Sequence, residues 1–116
     1  MIEICNLTPS KINTGALKNI AKVLLNKENK AHLDLSIALV GEKRMRELNR
    51  MYRGKNNPTN VLSFPLQELG LGEIILCPAK IRKDARKYGI LFEQELVRVF
   101  VHGLLHLLGY NHAQMK

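Results

Sequence analysis

His102, His106 and His112 stand at offsets of four and six residues near the end of a 116-residue chain. Residues four apart on a helix share a face, so His102 and His106 present two ring nitrogens to one point. Gly109 is the residue type that most readily takes a positive φ at a helix end, and a turn there brings His112 back towards the same point. From Val99 to Leu108 the two histidines are the only polar side chains in an apolar run, and a shared metal would satisfy both. Neutral imidazole suits zinc, copper, iron and nickel better than hard cations. Three protein ligands with a fourth position open is the arrangement of a catalytic zinc. The expectation is one zinc ion, with nickel or another transition metal suited to the same donors. A cation on three neutral ligands keeps its full charge, lowers the pKa of a bound water towards ~7 and polarises a phosphoryl or carbonyl oxygen. Hydrolysis is the reaction class.

The spacing is also that of the metzincin peptidases, H-E-x-x-H-x-x-G-x-x-H. The peptidase base would stand beside the first histidine, where this chain has Gly103, which neither takes nor gives a proton. Charge points to another substrate. Of 18 Lys and Arg residues, against 10 Asp and Glu, eleven fall in two stretches, Lys43 to Lys55 and Lys80 to Lys87. Such stretches are expected where a protein meets phosphates, and Lys43, Arg46, Arg50, Lys55, Lys83, Arg86 and Lys87 are the candidate substrate contacts, with Arg53. Arg53 stands apart, entering a loop where its guanidinium can hold a phosphate bidentately. With three tyrosines, three phenylalanines and no tryptophan, an extended stacking platform for bases is not expected, and backbone contact should dominate.

Around these residues the pattern alternates strand and helix. Ile2 to Cys5 reads as a short strand, Thr8-Pro9-Ser10 as a helix start, and Ile12, Ala16, Ile20, Ala21 and Leu24 as the inward stripe of that helix. Leu33 to Val40 is the clearest strand. A helix opening at Gly41-Glu42 carries Met45, Leu48 and Tyr52 inward. The loop Arg53 to Asn60 precedes strands at Val61 to Phe64 and Gly72 to Cys77. A helix from Ala79 to Tyr88, with Ile81, Ala85 and Tyr88 inward, stops at Gly89. The histidine helix runs from Phe92 to Leu108, with its apolar C-terminal end central to the core. This order predicts an α+β fold, a four-stranded mixed sheet packed against helices, with the three histidines at a helix and turn of metzincin-like spacing.

Length and a 46% hydrophobic composition fit one domain over residues 1–116. The longest apolar run falls short of the ~20 residues that span a bilayer, and Met1 leads straight into Ile2-Glu3-Ile4 without a signal-like segment. A cytoplasmic protein without membrane contact is expected. Cys5 and Cys77, each in an apolar strand-like run, read as reduced core residues. His32, remote from the triad in sequence, reads as a surface residue. Ser63 reads as a solvent-facing strand residue.

Two stretches carry a family resemblance. His102-Gly103-Leu104-Leu105-His106-Leu107-Leu108-Gly109-Tyr110-Asn111-His112 resembles the H-G-x-L-H-L-x-G-Y-D-H of the YbeY family, with Asn111 where aspartate is usual. Asn49, Tyr52 and Arg53, followed by Pro58-Thr59-Asn60-Val61-Leu62-Ser63-Phe64-Pro65, resemble its N-x-x-Y-R and P-T-D-V-L-S-F-P, with Asn60 for aspartate. Gly72-Glu73-Ile74 is similar to its G-D-I. The resemblance implies a metal-dependent endoribonuclease acting on single-stranded RNA, with zinc on His102, His106 and His112 and a phosphate-binding or catalytic role for Arg53. It implies work in 16S rRNA 3′-end maturation and ribosome quality control with the small ribosomal subunit as partner, and no DNA substrate. The other readings are a non-catalytic ribosome-associated binding module with a structural metal, and a metallopeptidase whose base would have to be Glu73 or another carboxylate.

Overall fold

Alternating side chains in a strand divide between the two faces of a sheet, and this chain has an apolar set for each. In the computed structural model, which describes residues 1–66 and 70–110, the order is β1 (Ile2–Asn6), α1 (Thr14–Lys27), β2 (Asp34–Leu39), α2 (Glu42–Arg53), β3 (Val61–Pro65), β4 (Gly70–Leu76), α3 (Pro78–Tyr88) and α4 (Phe92–Leu107). The expected α+β fold is found. Four strands form one mixed sheet in the order β1-β2-β4-β3. β1, β2 and β4 run parallel, and β3 lies antiparallel on β4 as an edge strand.

One face, with Leu35, Ile37 and Leu39 of β2 and Ile74 and Leu76 of β4, packs under Leu17, Ala21 and Leu25 of α1 and Leu96, Val99, Phe100 and Leu104 of α4. Each leucine, isoleucine, valine or phenylalanine side chain so taken out of water stabilises the fold by about 1.5–3 kcal/mol. On the other face Leu62, Ile75 and Cys77 meet Met45 and Leu48 of α2.

Several expectations are corrected. Thr8 and Ser10 do not open α1. Asn6 Oδ1 accepts from the Thr8 amide at 3.0 Å, and Asn6 Nδ2 donates to Ser10 O at 2.8 Å, closing a turn instead. Asn13 caps the helix, accepting from the Ala16 amide at 3.0 Å. The α1 residues buried are Leu17, Ala21 and Leu25, while Ile12, Ala16, Ile20 and Leu24 are half-buried. Tyr52 and Tyr88, expected inward, are each 60% exposed. Both lie in the last turn of their helix, past the reach of the core, and the inward face of α2 is completed by Asn49. Cys77 is buried, but Cys5 is exposed, because β1 is the other edge of the sheet and Cys5 alternates with Ile4, which packs against the main core, and so points to the opposite face.

The middle of α4, rather than its C-terminal end, is central to the core. Val99, Phe100, Gly103 and Leu104 are buried, whereas His102 is half-buried and His106 exposed. Burial cost therefore does not argue for a metal at these histidines.

Candidate active site

α4 reaches β3 and β4 closely enough to place its histidines beside the edge strand. Gly103 makes the approach feasible. A Cβ at that position would stand 3.0 Å from Ser63 Oγ and 3.2 Å from Val61 Cγ2. Ser63, expected to face solvent, is half-buried and its hydroxyl donates to Gly103 O at 3.1 Å. Gly72 plays the matching part in β4, where a Cβ would meet Leu107 Cδ2 at 2.7 Å.

His102 and His106 both open onto one cleft of about 640 Å³ that runs along β3. Tyr52 and Arg53, at the end of α2, form another wall, with Thr59 and Asn60 from the following loop. Gly54 caps α2 in the left-handed conformation (φ 69°) and turns the chain off the helix directly after Arg53. Asn49 ties the loop down: it is 1% exposed, and its Nδ2 donates to Asn57 O at 2.8 Å.

Gly109 takes the expected positive φ, 94°. Its amide bonds His106 O at 3.1 Å, and the Tyr110 amide bonds Leu105 O at 3.0 Å. The Tyr110 hydroxyl donates to Glu28, the residue capping the C-terminus of α1, and this bond raises the Tyr110 pKa above its ordinary value. The chain leaving α4 is thereby anchored two residues before His112. His112 and Asn111 lie outside the described residues.

Of the basic candidates only Arg53 lines the cleft among the described residues. Lys43, Arg46 and Arg50 of α2, Lys55 of the loop, and Lys83, Arg86 and Lys87 of α3 are exposed outside it. Lys83 is paired, donating to both Glu42 oxygens at 3.1 and 2.9 Å, which links α3 to the start of α2. No carboxylate lines the cleft among the described residues.

Glu73 is on the wrong side of the sheet for a peptidase base. It lies opposite Phe64 in the β3–β4 register, while its neighbour Ile74 lies opposite Ser63 and faces Gly103 of α4. Successive strand residues point to opposite faces, so Glu73 is directed away from the histidines.

The cleft brings one guanidinium together with two imidazoles four residues apart on a helix. A family profile described as Endoribonuclease YbeY matches residues 3–116. The chain belongs to the YbeY family. A YbeY endoribonuclease of Thermodesulfovibrio yellowstonii is 46% identical over 101 residues, covering 82% of this chain and 62% of the relative. One from Sulfurovum sp. is 38% identical over 121 residues, covering 97% of this chain and 78% of the relative. The solution structure of TM1509 from Thermotoga maritima superposes with a TM-score of 0.71 at 37% identity, covering 97% of this chain and 75% of that one. The chain thus spans less than two thirds of the length of the first of these YbeY relatives.

Tyr52, Ser63 and Thr59 are cleft residues that sequence reasoning did not assign to the site. Tyr52 has the same spacing from Leu48 that a core residue would have, and Ser63 the alternation of a solvent-facing one. Only the YbeY motif, in which all three stand, marked them.

Proposed function

We propose that this chain is a zinc-dependent endoribonuclease that cuts single-stranded RNA during rRNA maturation in the cytoplasm. The observation that carries the reading is the shared cleft: Arg53, from one side of the sheet edge, faces the same space as His102 and His106 from the other. Family membership supports the RNA phosphodiester as substrate.

The donor chemistry fits zinc. Two imidazoles four residues apart on one helix open to one cleft, which suits a borderline transition metal and not a hard cation. His102, His106 and His112 would hold the ion, with Tyr110 and Gly109 directing the chain towards the third ligand. When bound, zinc supplies Lewis-acid polarisation of a phosphoryl oxygen. Arg53 binds and orients the phosphate through paired N–H donors. Gly103 and Ser63 keep the histidine helix seated on the edge strand.

Cleavage of single-stranded RNA by wild type and by His106→Ala, each metal-depleted and zinc-supplemented, tests the reading. Zinc-stimulated cleavage by wild type alone is expected; equal activity in all four conditions would sink it. Processing of the 16S rRNA 3′ end and ribosome quality control with the small subunit are the expected cellular tasks, tested by precursor accumulation in a strain carrying Arg53→Ala.

One observation favours a second reading. The described cleft contains no carboxylate, and Asn60 stands in it where the family usually has aspartate, as a non-catalytic RNA-binding module with a structural metal would allow. Four protein ligands on the metal would favour that module; an exchangeable fourth ligand favours the enzyme.

A further inference from the structure

The opposite face of the sheet carries a second cleft, of about 440 Å³, that the hydrolytic reading leaves unused. Its floor is apolar, formed by Leu7, Ala38, Val40, Leu48 and Ile75, and it has two charged groups, Arg44 and Glu73. Its size is within the range of sites that take small planar ligands.

The two clefts meet at an aromatic pair, since Tyr52 and Phe64 line both. Their ring centroids are 4.9 Å apart and the rings are tilted by 59°. Phe64 is half-buried and holds one side of Tyr52, whose ring is 60% exposed. An aromatic ring braced in this way offers a stacking surface at small entropic cost. Arg44 lines the second cleft and Arg53 the first, each together with Tyr52, so a polyanionic strand crossing the ring meets a cation on either side.

Glu73 gives the second cleft a selective group. Its carboxylate is half-buried beside Phe64 and pairs with no cation among the described residues. An ionised carboxylate only accepts hydrogen bonds. Guanine presents N1–H and N2–H₂ side by side on one edge and matches such an acceptor; uracil presents one N–H between two carbonyl oxygens and does not.

We propose that this cleft seats one unpaired nucleobase of the RNA strand, next to the phosphodiester held at Arg53, with Tyr52 stacking on the base and Glu73 selecting guanine. The inference rests on the RNA-cleaving reading above and adds a base preference to it. It assigns Glu73 to the reading of a base edge and Tyr52 to substrate binding rather than to the core.

The test uses single-stranded RNAs of about ten nucleotides, with a fluorescent guanine analogue that keeps N1–H and N2–H₂ placed in turn at each position and fluorescence followed by stopped flow before cleavage. Quenching at one position is expected in wild type and Tyr52→Phe, and none in Tyr52→Ala. Affinity should fall by about 5–150-fold in Tyr52→Ala, the range for one lost base stack. Replacing the base at that position by uracil or an abasic sugar should weaken binding to wild type, and Glu73→Gln should remove the guanine preference while Arg53-dependent binding persists. RNA binding with no quenched position, or with Tyr52→Ala unchanged, overturns the subsite and leaves the nuclease reading standing. No RNA binding by wild type overturns both. Concentration-dependent dimerisation that Tyr52→Ala abolishes would assign the cleft to a second copy of the chain and overturn the subsite.

Discussion

Arg53 sits at the junction of a helix and a loop that are both fixed, one by the Gly54 cap and the other by the Asn49 side chain. Its side chain lines the same cleft as His102 and His106, so under the proposed function it would meet the phosphate of a bound RNA. A charge-assisted hydrogen bond lost from such a place costs about 1.5–3 kcal/mol, so Arg53→Ala should lower kcat/KM for RNA by about 10–150-fold. Arg53→Lys should recover only part of that, because an ammonium lacks the paired donors; steady-state cleavage rates of the three proteins check this. At Asn60 the expected change is upward. Asn60→Asp restores a carboxylate to the cleft, and partners of this kind are worth about 10–100-fold in metal affinity, to be read by competition with a zinc chelator. Gly103→Ala places a methyl 3.2 Å from Val61 Cγ2, a branched side chain that cannot rotate away. Overpacking of this kind costs about 1–3 kcal/mol, more than the gain in helix propensity, and urea unfolding should show the loss.

Helix ends differ in how plainly they can be read. Gly89 lies where glycine was expected to stop α3, and Gly54 ends α2 at the start of the expected loop, both in the left-handed conformation, because that requirement is local. The start of α1 is not local in the same sense: Thr8 is a good cap by type, but Asn6 bonds it first. Glu95 shows the same limit within α4. In the first turns of a helix an acidic residue reads as a solvated charge near the positive end of the dipole. The packing of α3 on α4 instead leaves Glu95 0% exposed, with Arg98 bonding its two oxygens at 2.6 and 2.8 Å. Arg98→Ala strands that buried carboxylate and should lower stability by about 1.5–3 kcal/mol, whereas Arg98→Lys should lose less; thermal unfolding of the two variants distinguishes them.

For the molecule as a whole, the sheet separates two kinds of chemistry that the sequence places side by side. Ile74 and Glu73 are adjacent in the chain, but one faces the histidine helix and the other the second cleft. The element order, the mixed sheet and the association of Arg53 with His102 and His106 were legible, because each follows from periodicity or motif. The sheet face of Glu73, the exposure of Cys5 and the pairing of Lys83 were not, because they depend on how elements pack. Cys77 gives the assembled core a pH signature. It precedes α3, whose first amides lower its pKa, but burial outweighs them and raises it above the ordinary 9.0. The unfolded chain therefore loses that proton first, so the contribution to stability is complete below about pH 9 and declines as pH rises through the folded value. Lys80, raised above its ordinary 10.5 chiefly by its hydrogen bond to Asp84, contributes a loss only at higher pH still. Chemical unfolding at pH 8 to 10 should show the first decline, and Cys77→Ala should flatten it.

Gly103 also bears on what this scaffold can become. A single Gly103→Glu change would spell the peptidase sequence around His102, yet the first carbon of the new side chain would press on Ser63 and Val61. Ser63, Val61 or α4 itself must then give by a few tenths of an ångström, at the point where the histidine helix is seated on the edge strand. The residue that would supply a peptidase base thus carries a packing cost that Gly103 avoids, so a step towards the peptidase sequence is opposed by the seating of α4 on the edge strand.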